Sequence, residues 1–430
     1  MSTPGLLRLF AVVALVAGSA RTIAAQTASP APPEAMASAS TTQAAEAAPP
    51  QASQAASRQA AIEQEQAAKV SNLHPYNPNK AERIFERVDA IIEGGTLRWH
   101  PFFENAFSGG GFTLGVGRAI YVSPYNYIDV RGSYTIKDYK RAEVEFVAPR
   151  MFNRRAQLSV IGGWREATQV GFYGFGTNTS QDDRTNYLFQ QPYGNALFTI
   201  FPTRKVLMLR GGAEFTRWKQ EPGDGSFPSV ETKYTPETLP GLGAEVTYLH
   251  TQGTVGFDWR TSPGYSRRGA YVGATLHDYN DRDNDFGFQV AEYEGIAHLP
   301  ILREAWVLSF HGRVQTAFDK DGQQIPFFML PALGGGSSLR GYSSVRFRDQ
   351  NSLLLQAEWR IMVNRYLDLA FFYDTGKVTA RTSDLDLDGL KDDYGVGFRF
   401  HGPLATPLRM EFAHSRETSL KFIFSSHASF

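Results

Sequence analysis

The sequence predicts an all-β protein, a sixteen-stranded antiparallel transmembrane β-barrel preceded by a short disordered or helical N-terminal segment. Three observations predict this fold class: apolar and polar residues alternate from position 95 onward, the alternating runs are long, and short connections between the runs lie on one side while the long ones lie on the other. Because alternate residues of a strand face opposite sides, one face of the sheet is apolar and the other is polar. The alternation is clear within 140–146, where Ala142, Val144 and Phe146 are interleaved with Arg141, Glu143 and Glu145.

The length of the alternating runs distinguishes a membrane barrel from a soluble antiparallel sandwich, which also alternates. Strands of a sandwich are usually about five or six residues long. Many runs in this chain reach about ten residues or more, the length that a tilted membrane strand requires. Unpaired backbone groups are too costly in lipid, so we expect the strands to close into a barrel.

The N-terminal part of the chain is predicted to be a signal peptide followed by a linker. Residues 1–25 are typical of a cleaved signal peptide, because Arg8 precedes an apolar run at 9–20 that is too short to span a bilayer as a helix. Residues 26–70 are almost entirely Ala, Gln, Ser, Pro, Thr and Glu, a composition that cannot build a core. We expect a disordered periplasmic linker there.

Residues 71–94 are predicted to contain one short amphipathic helix, at 80–92. Its apolar positions follow a helical period and share one face: Ile84, Val88, Ile91 and Ile92. Two interpretations stay open, a simple connector helix and a surface that docks on the barrel or on a periplasmic protein.

Residues 95–430 are predicted to form the barrel itself. The sixteen strands are expected near 95–104, 111–121, 126–136, 139–149, 155–174, 185–201, 204–217, 247–260, 269–280, 286–299, 305–318, 351–363, 366–378, 391–401, 406–415 and 419–430. Alternate connections are short and are expected in the periplasm, as is usual for outer-membrane barrels. The long connections then all lie outside the cell: 175–184, 218–246, 319–350 and 379–390.

Composition excludes several classes of function. The chain has 43 basic and 43 acidic residues, so it lacks the basic excess of a nucleic-acid-binding protein. It has no cysteine, which rules out disulfides, thiolate metal sites and a lipidated cysteine. The acidic stretch at 384–389 resembles the start of a calcium loop, but Gly395 stands where that loop needs Glu. We therefore expect neither an enzyme nor a bound cofactor or metal.

The last predicted strand carries aromatic residues on one face. Phe422, Phe424, Ala428 and Phe430 are expected to share one face of 419–430. A closing strand that ends in an aromatic residue resembles the signal by which outer-membrane barrels are recognised for insertion.

Two carboxylates are predicted to face the barrel interior on neighbouring strands. Leucine and tryptophan occupy the lipid face of 351–363, which turns Glu358 inward, and the same reasoning turns Asp374 inward on 366–378. The long connection before these strands contains Leu339, Arg340, Gly341 and Tyr342. If that loop folds back into the barrel, Arg340 lies between the carboxylates and charge-assisted hydrogen bonds hold the loop.

These residues resemble those of a known family, the BamA/TamA-type outer-membrane assembly and translocation barrels, also called the bacterial surface antigen family. Leu339, Arg340, Gly341 and Tyr342 match the tip of the family's sixth external loop, which folds into the lumen. Glu358 matches a carboxylate on strand twelve, and Phe372, Asp374 and Gly376 match the motif on strand thirteen. The resemblance covers about residues 95–430 and implies a location in the bacterial outer membrane.

The resemblance also implies a function, with one departure. Family members insert barrels or export polypeptides, so the implied partners are the lipid bilayer and unfolded outer-membrane or secreted polypeptides. Those members carry periplasmic POTRA domains, and residues 26–94 leave no room for one beside the low-complexity tract. Two alternatives therefore stay open, a member that assists polypeptide insertion or translocation and a narrow passive pore. The Arg340 motif is likewise either a clamp that only holds the loop or a switch.

Overall fold

The computed structural model describes residues 62, 98–203, 206–402, 405–426 and 430. The signal peptide predicted at 1–25, the linker at 26–70 apart from Ile62, and the helix segment at 71–94 lie outside the described residues and stay predictions.

The predicted sixteen-stranded antiparallel architecture is confirmed. Within the described residues, the sixteen strands of the large sheet pair in chain order, each with the one before and the one after it in that sheet. The sixteen strands of that sheet are β1 Trp99–Pro101, β2 Thr113–Tyr121, β3 Tyr127–Thr135, β4 Lys140–Arg150, β5 Ala156–Phe172, β6 Thr185–Ile200, β7 Leu207–Pro222, β8 Glu245–Asp258, β9 Gly269–Asp281, β10 Phe288–Pro300, β11 Trp306–Asp319, β14 Asn351–Asn364, β15 Leu367–Thr379, β16 Lys391–Phe400, β17 Leu408–Ser415 and β18 Lys421–Ser425.

The remaining elements are short and lie in connections. Strands β12 Ala332–Leu333 and β13 Phe347–Arg348 form a separate two-stranded sheet inside the long connection between β11 and β14. A tight turn with positive φ at Phe152 and Asn153 spans Met151–Arg154. The 3₁₀ turns span Gln181–Asp183, Val230–Thr232, Phe327–Met329 and Thr382–Asp384. No helix among the described residues is long and apolar enough to cross a membrane.

The sheet curls so that the segment between its first two strands packs against its last strand, as in a barrel. The ring of Phe103, just after β1, packs edge-on against Phe424 of β18 with centroids 5.9 Å apart. Phe112, just before β2, meets the same ring at 5.9 Å. We call the line along which the segment between β1 and β2 approaches β18 the seam.

The two faces of the barrel wall differ as the alternation predicts. On β15, Phe371 and Tyr373 face outward and are 42% and 48% exposed, whereas Phe372 between them and Asp374 after them are buried. On β14, the indole of Trp359 faces outward next to the buried carboxylate of Glu358. Apolar side chains therefore cover the outside of the wall, and charged side chains line the lumen.

The strands at the seam are shorter than predicted. The first strand was expected at 95–104, but β1 ends at Pro101 and the chain then turns into the lumen. There Ser133 Oγ donates to the Glu104 carbonyl at 2.6 Å, and Arg165 Nη1 donates to the Ala106 carbonyl at 3.3 Å. A terminal strand pairs with one neighbour only, so side-chain contacts in the lumen compete easily with the ladder.

The end of the chain also departs from the prediction. The last strand was expected at 419–430 but ends at Ser425. Phe430 does not share the lipid-facing side with Phe422 and Phe424, because its ring stacks 5.2 Å from that of His311, a lumenal residue of β11. Aromatic stacking inside the lumen replaces the expected position on the face of Phe422 and Phe424.

Both ends of the lumen are filled. At the end with long loops, aromatic side chains from the wall and from loop residues Phe327 and Phe328 form one buried cluster. At the end with short turns, the turn between β8 and β9 crosses to the opposite wall. There Tyr265 donates to Asp368 Oδ2 at 2.6 Å and stacks on His401 with ring centroids 3.8 Å apart.

Candidate functional site

The long connection between β11 and β14, residues 320–350, enters the lumen as a folded hairpin, and we call it the lumenal loop. Leu333 of β12 pairs with Phe347 of β13. Gly334 follows with φ of 114°, and a Cβ there would lie 2.2 Å from the Ser343 carbonyl oxygen, so only glycine fits this close turn. The hairpin rests on the wall through a buried apolar cluster made of Leu333, Leu339, Tyr342, Phe347, Leu354 and Val378.

Arg340 lies at the tip of the lumenal loop and is fully buried. Its guanidinium makes a bidentate pair with Asp374, with Nε 2.6 Å from Oδ2 and Nη2 2.7 Å from Oδ1. Its Nη1 donates to Glu358 Oε2 at 3.1 Å and to Glu411 Oε1 at 2.7 Å. The guanidinium plane also sits over the ring of Phe372, 3.6 Å from the centroid. The structure thus brings these residues, which we call the Arg340 clamp, together from three strands and one loop.

The clamp includes charged residues that the sequence interpretation did not assign to it. Glu411 of β17 is the third carboxylate on Arg340, and Arg399 of β16 joins Glu358 to Glu411, with Nη2 2.6 Å from an oxygen of each. Arg409 lies 3.3 Å from Glu411 as well. All of these sit at inward positions of alternating strands, which was the available signal. Which inward charges meet across the lumen depends on strand register, and that cannot be read locally.

Gly341 and Tyr342 fix the tip against the wall beside the seam. A Cβ on Gly341 would lie 2.7 Å from the Cβ of Asp393 and 2.9 Å from that of Ser415, so the backbone packs directly on β16 and β17. Ser415 Oγ donates to the Gly341 carbonyl at 3.1 Å, and the Tyr342 hydroxyl donates to the Asp392 carbonyl at 3.2 Å. Burial raises the pKa of Tyr342 to about 12, which keeps its hydroxyl a neutral donor.

Gly376 of β15 provides the matching surface for the base of the hairpin. A Cβ at this position would lie 3.0 Å from Leu333 Cδ1 and 2.5 Å from the Leu353 carbonyl oxygen. The absence of a side chain therefore lets β12 pack directly on β15.

A second arginine anchors the lumenal loop at its return limb. Arg346 is buried and donates from Nε and Nη2 to the carboxylate of Glu417 at 2.7 and 2.8 Å. It also donates to the Thr179 hydroxyl and carbonyl, both at 2.7 Å, and lies over the ring of Tyr173. Sequence reasoning missed this anchor, because its partners lie in two other loops.

The aromatic residues of the predicted insertion signal do not belong to the lumenal site as a group. Phe422 and Phe424 are 56% and 36% exposed on the outer face of β18. Phe430 lies in the lumen, near His311. The use of these residues as an insertion signal stays a prediction.

The chemistry of the clamp is electrostatic. Three buried arginines face three buried carboxylates, namely Arg340, Arg399 and Arg409 against Glu358, Asp374 and Glu411. Asp393 carries a fourth carboxylate and lies directly opposite Asp374, on the neighbouring strand. In the part of the chain that the structure describes, no group of three or more His, Asp or Glu side chains has the arrangement of a metal site. The geometry therefore supports holding the loop in the lumen.

A sixteen-stranded barrel with an apolar outer wall, a charged lumen and a loop pinned inside defines a class of outer-membrane protein. The model of the Omp85 superfamily domain matches residues 126–425, and the chain belongs to this superfamily. It is an outer-membrane β-barrel protein.

Solved structures of this superfamily share the fold. The chain is similar to BamA from Haemophilus ducreyi lacking POTRA domains 1-3, at 12% identity and a TM-score of 0.55, covering 79% of this chain and 76% of that one. It is similar to CdiB from Escherichia coli at 11% identity and a TM-score of 0.51, covering 76% of this chain and 61% of that one. No curated protein matches the sequence. At these identities the likeness concerns the fold.

Proposed function

We propose that this protein assists the insertion or translocation of polypeptides at the outer membrane. One observation carries the proposal: the lumen is filled by an anchored loop, while the first and last strands, β1 and β18, are the shortest of the large sheet. β1 has three residues and β18 has five, whereas β10 has thirteen. A client strand can therefore gain backbone pairing at the seam while few hydrogen bonds of the barrel are broken.

The proposal extends to the role of the clamp and to the partners. The clamp holds the lumenal loop in place while a client strand pairs at the seam. Releasing a fully buried arginine from three carboxylate partners has a high free-energy cost. The partners are the lipid bilayer and unfolded outer-membrane or secreted polypeptides. The predicted helix at 80–92 stays a candidate contact for a periplasmic protein.

Locking the seam tests the proposal. The chain has no cysteine, so Phe103→Cys with Phe424→Cys is a unique thiol pair across the seam. The oxidised protein, refolded into liposomes, is expected to lose its ability to speed the folding of a urea-unfolded β-barrel client, and reduction is expected to restore it. Client folding is followed by the shift of the folded band on unheated gels.

A matched pair provides the control. Ala297→Cys and Phe310→Cys are directly opposite each other on β10 and β11, away from the seam, and their disulfide is expected to leave activity unchanged. If the seam-locked protein accelerates client folding as well as the reduced protein does, clients do not pair at the seam. If neither form accelerates it, the insertase function is wrong.

A narrow passive pore is the competing function. The aromatic cluster at one end of the lumen and the crossing turn at the other argue against it, because an open channel needs a continuous water path. A pore predicts sustained conductance by the intact protein, and the proposed function predicts a closed state.

A further inference from the structure

A cavity of about 590 Å³ lies along the inner side of the seam. It is bounded by the segment between β1 and β2, by the turn between β3 and β4, by the tip of the lumenal loop and by β18. The cavity adjoins the Arg340 clamp at Arg409, but the guanidinium of Arg340 and its three acidic partners do not line it.

The charge of this cavity has one sign. Four cationic side chains from four different parts of the chain line it: Lys137, Arg184, Arg409 and Lys421. None of the described residues that line it is Asp or Glu. The carboxylate next to Lys137 in sequence, that of Asp138, lies 3.5 Å from Lys140. The remaining polar groups of the lining are mainly serine hydroxyls and amides, which suit an anion.

Two of the cations have buried hydrogen-bond donors left over. Arg409 is 2% exposed; its Nη2 donates to the Gly336 carbonyl at 2.8 Å, but its Nε has no hydrogen-bond partner among the described residues. Its Nη1, 3.3 Å from Glu411, lacks the alignment of a hydrogen bond. The Nε of Arg184 is buried and unpartnered in the same way. Buried donors without partners are costly, and a bound anion would satisfy them.

The two lysines add charge at the cavity wall. Lys421 donates to the Tyr342 carbonyl. Burial, and after it the charge of Arg184, lowers the pKa of Lys137 below its usual range. Burial and the nearby positive charge of Arg184 both destabilise the charged form of Lys137. An anion bound between Lys137 and Arg184 would stabilise that charged form.

The side of the cavity toward the membrane is aromatic. Phe112 and Phe422 line it and are 47% and 56% exposed on the outer surface. Phe424, whose ring touches both Phe103 and Phe112, completes this side. The cavity thus joins a cationic interior to an apolar opening at the seam, the two surfaces that a molecule with an anionic head and an acyl tail requires.

We propose that the seam cavity is a binding site for a phosphate group carried by a membrane lipid, with the four cations holding the phosphate and the seam phenylalanines contacting the acyl chains. The phosphate oxygens accept from the free donors of Arg184 and Arg409. The site goes beyond the insertion function and stands whether or not clients use the seam.

Native mass spectrometry of the full chain in detergent tests the site with three probes. Phosphatidic acid carries both the phosphate and the acyl chains, diacylglycerol carries the chains alone, and inorganic phosphate carries the anion alone. We expect saturable binding of phosphatidic acid and none of diacylglycerol. If inorganic phosphate binds and displaces the lipid, the phosphate group alone defines the site; if it does not, the acyl chains are needed for affinity.

Variants locate the binding in the cavity. Lys137→Gln with Arg184→Gln is expected to weaken phosphatidic acid binding at least tenfold, since removing a single charge-assisted hydrogen bond typically weakens binding by about that factor. Lys233→Gln is the control, because this lysine is exposed, pairs with Asp183 and does not line the cavity. Unheated gels verify that each variant is folded.

Three outcomes would overturn the site. Equal binding of phosphatidic acid and diacylglycerol would show that the cations do not matter. Equal affinity of the double variant and the control would place the lipid elsewhere. Displacement of the lipid by an oligoglutamate peptide but not by phosphate would mean that the cavity takes acidic polypeptide instead.

Discussion

Replacing Arg340 with alanine removes the one side chain that joins the tip of the lumenal loop to three strands. The three carboxylates it contacts remain buried. Arg399 still pairs with Glu358 and Glu411, and Arg409 with Glu411, whereas Asp374 loses its arginine and keeps the amide of Gln356. Removing one partner of a buried ion pair typically costs about 3–5 kcal/mol. Because Arg346 and the apolar cluster at the base of the loop stay in place, the cost falls on the docking of the tip. We therefore expect local opening of the tip, with the barrel still folded.

The size of the expected effect follows from that cost. A loss of about 3–5 kcal/mol multiplies the undocked population of the tip by roughly 150 to 5,000 at 25 °C. Ser338→Cys is a suitable reporter, because serine and cysteine are similar in size, the site is buried, and the chain has no other cysteine. When docking is fast, the rate of maleimide labelling follows the undocked population, so labelling accelerates by a comparable factor.

Two further variants separate the geometry of the clamp from its charge. Arg340→Lys keeps the charge but removes the bidentate geometry and the stacking on Phe372, so its labelling rate is expected to fall between those of the reference and the alanine variant. Arg381→Ala is the control, since that guanidinium is 81% exposed and lies 3.4 Å from Asp384 in an outer loop. Equal labelling rates for Arg340→Ala and Arg381→Ala would refute the clamp, as would an unchanged cleavage pattern of 319–350 when intact cells are treated with protease.

The remaining predictions concern the residues around the clamp. Gly341→Ala inserts a methyl group into the packed wall of β16 and β17 and should accelerate reporter labelling, by less than Arg340→Ala does; an unchanged rate would contradict the packing. Arg346→Gln removes the bonds to Glu417, which weakens the docking of the loop by about 1–2 kcal/mol of free energy and should raise the labelling rate roughly tenfold. An unchanged rate would mean that Arg346 does not hold the loop. Tyr265→Phe removes the bond to Asp368 and should lower the temperature at which the folded gel band disappears; an unchanged temperature would argue against a stabilising turn.

The barrel strands were predictable because the bilayer imposes both their length and their alternation. The strand expected at 351–363 is observed as Asn351–Asn364, and the one expected at 269–280 as Gly269–Asp281. The prediction of strand ends failed for residues beyond the apolar band, where the bilayer no longer requires alternation. β7 was expected to stop at 217 but continues to Pro222, through charged residues that lie beyond the apolar band.

The candidate site was predictable only in part. The alternation predicted that Glu358 and Asp374 face the barrel interior, and the loop motif predicted that Arg340 lies between them. Glu411 also alternates inward, but nothing in the local pattern tells that it meets Arg340, 71 residues away in sequence. Phe430 was placed on the same face as Phe422 and Phe424 because the period was extended past Ser425, where the strand ends. Contacts across the lumen depend on the whole closed barrel, which no local pattern contains.

Single-channel recording in planar bilayers measures most directly whether the lumenal loop closes the barrel. The intact protein is expected to show almost no steady conductance, whereas a variant lacking most of 320–350 is expected to open wide, because a sixteen-stranded barrel without a plug encloses an aqueous channel. Conductance that is the same in the two proteins would contradict a lumen closed by that loop.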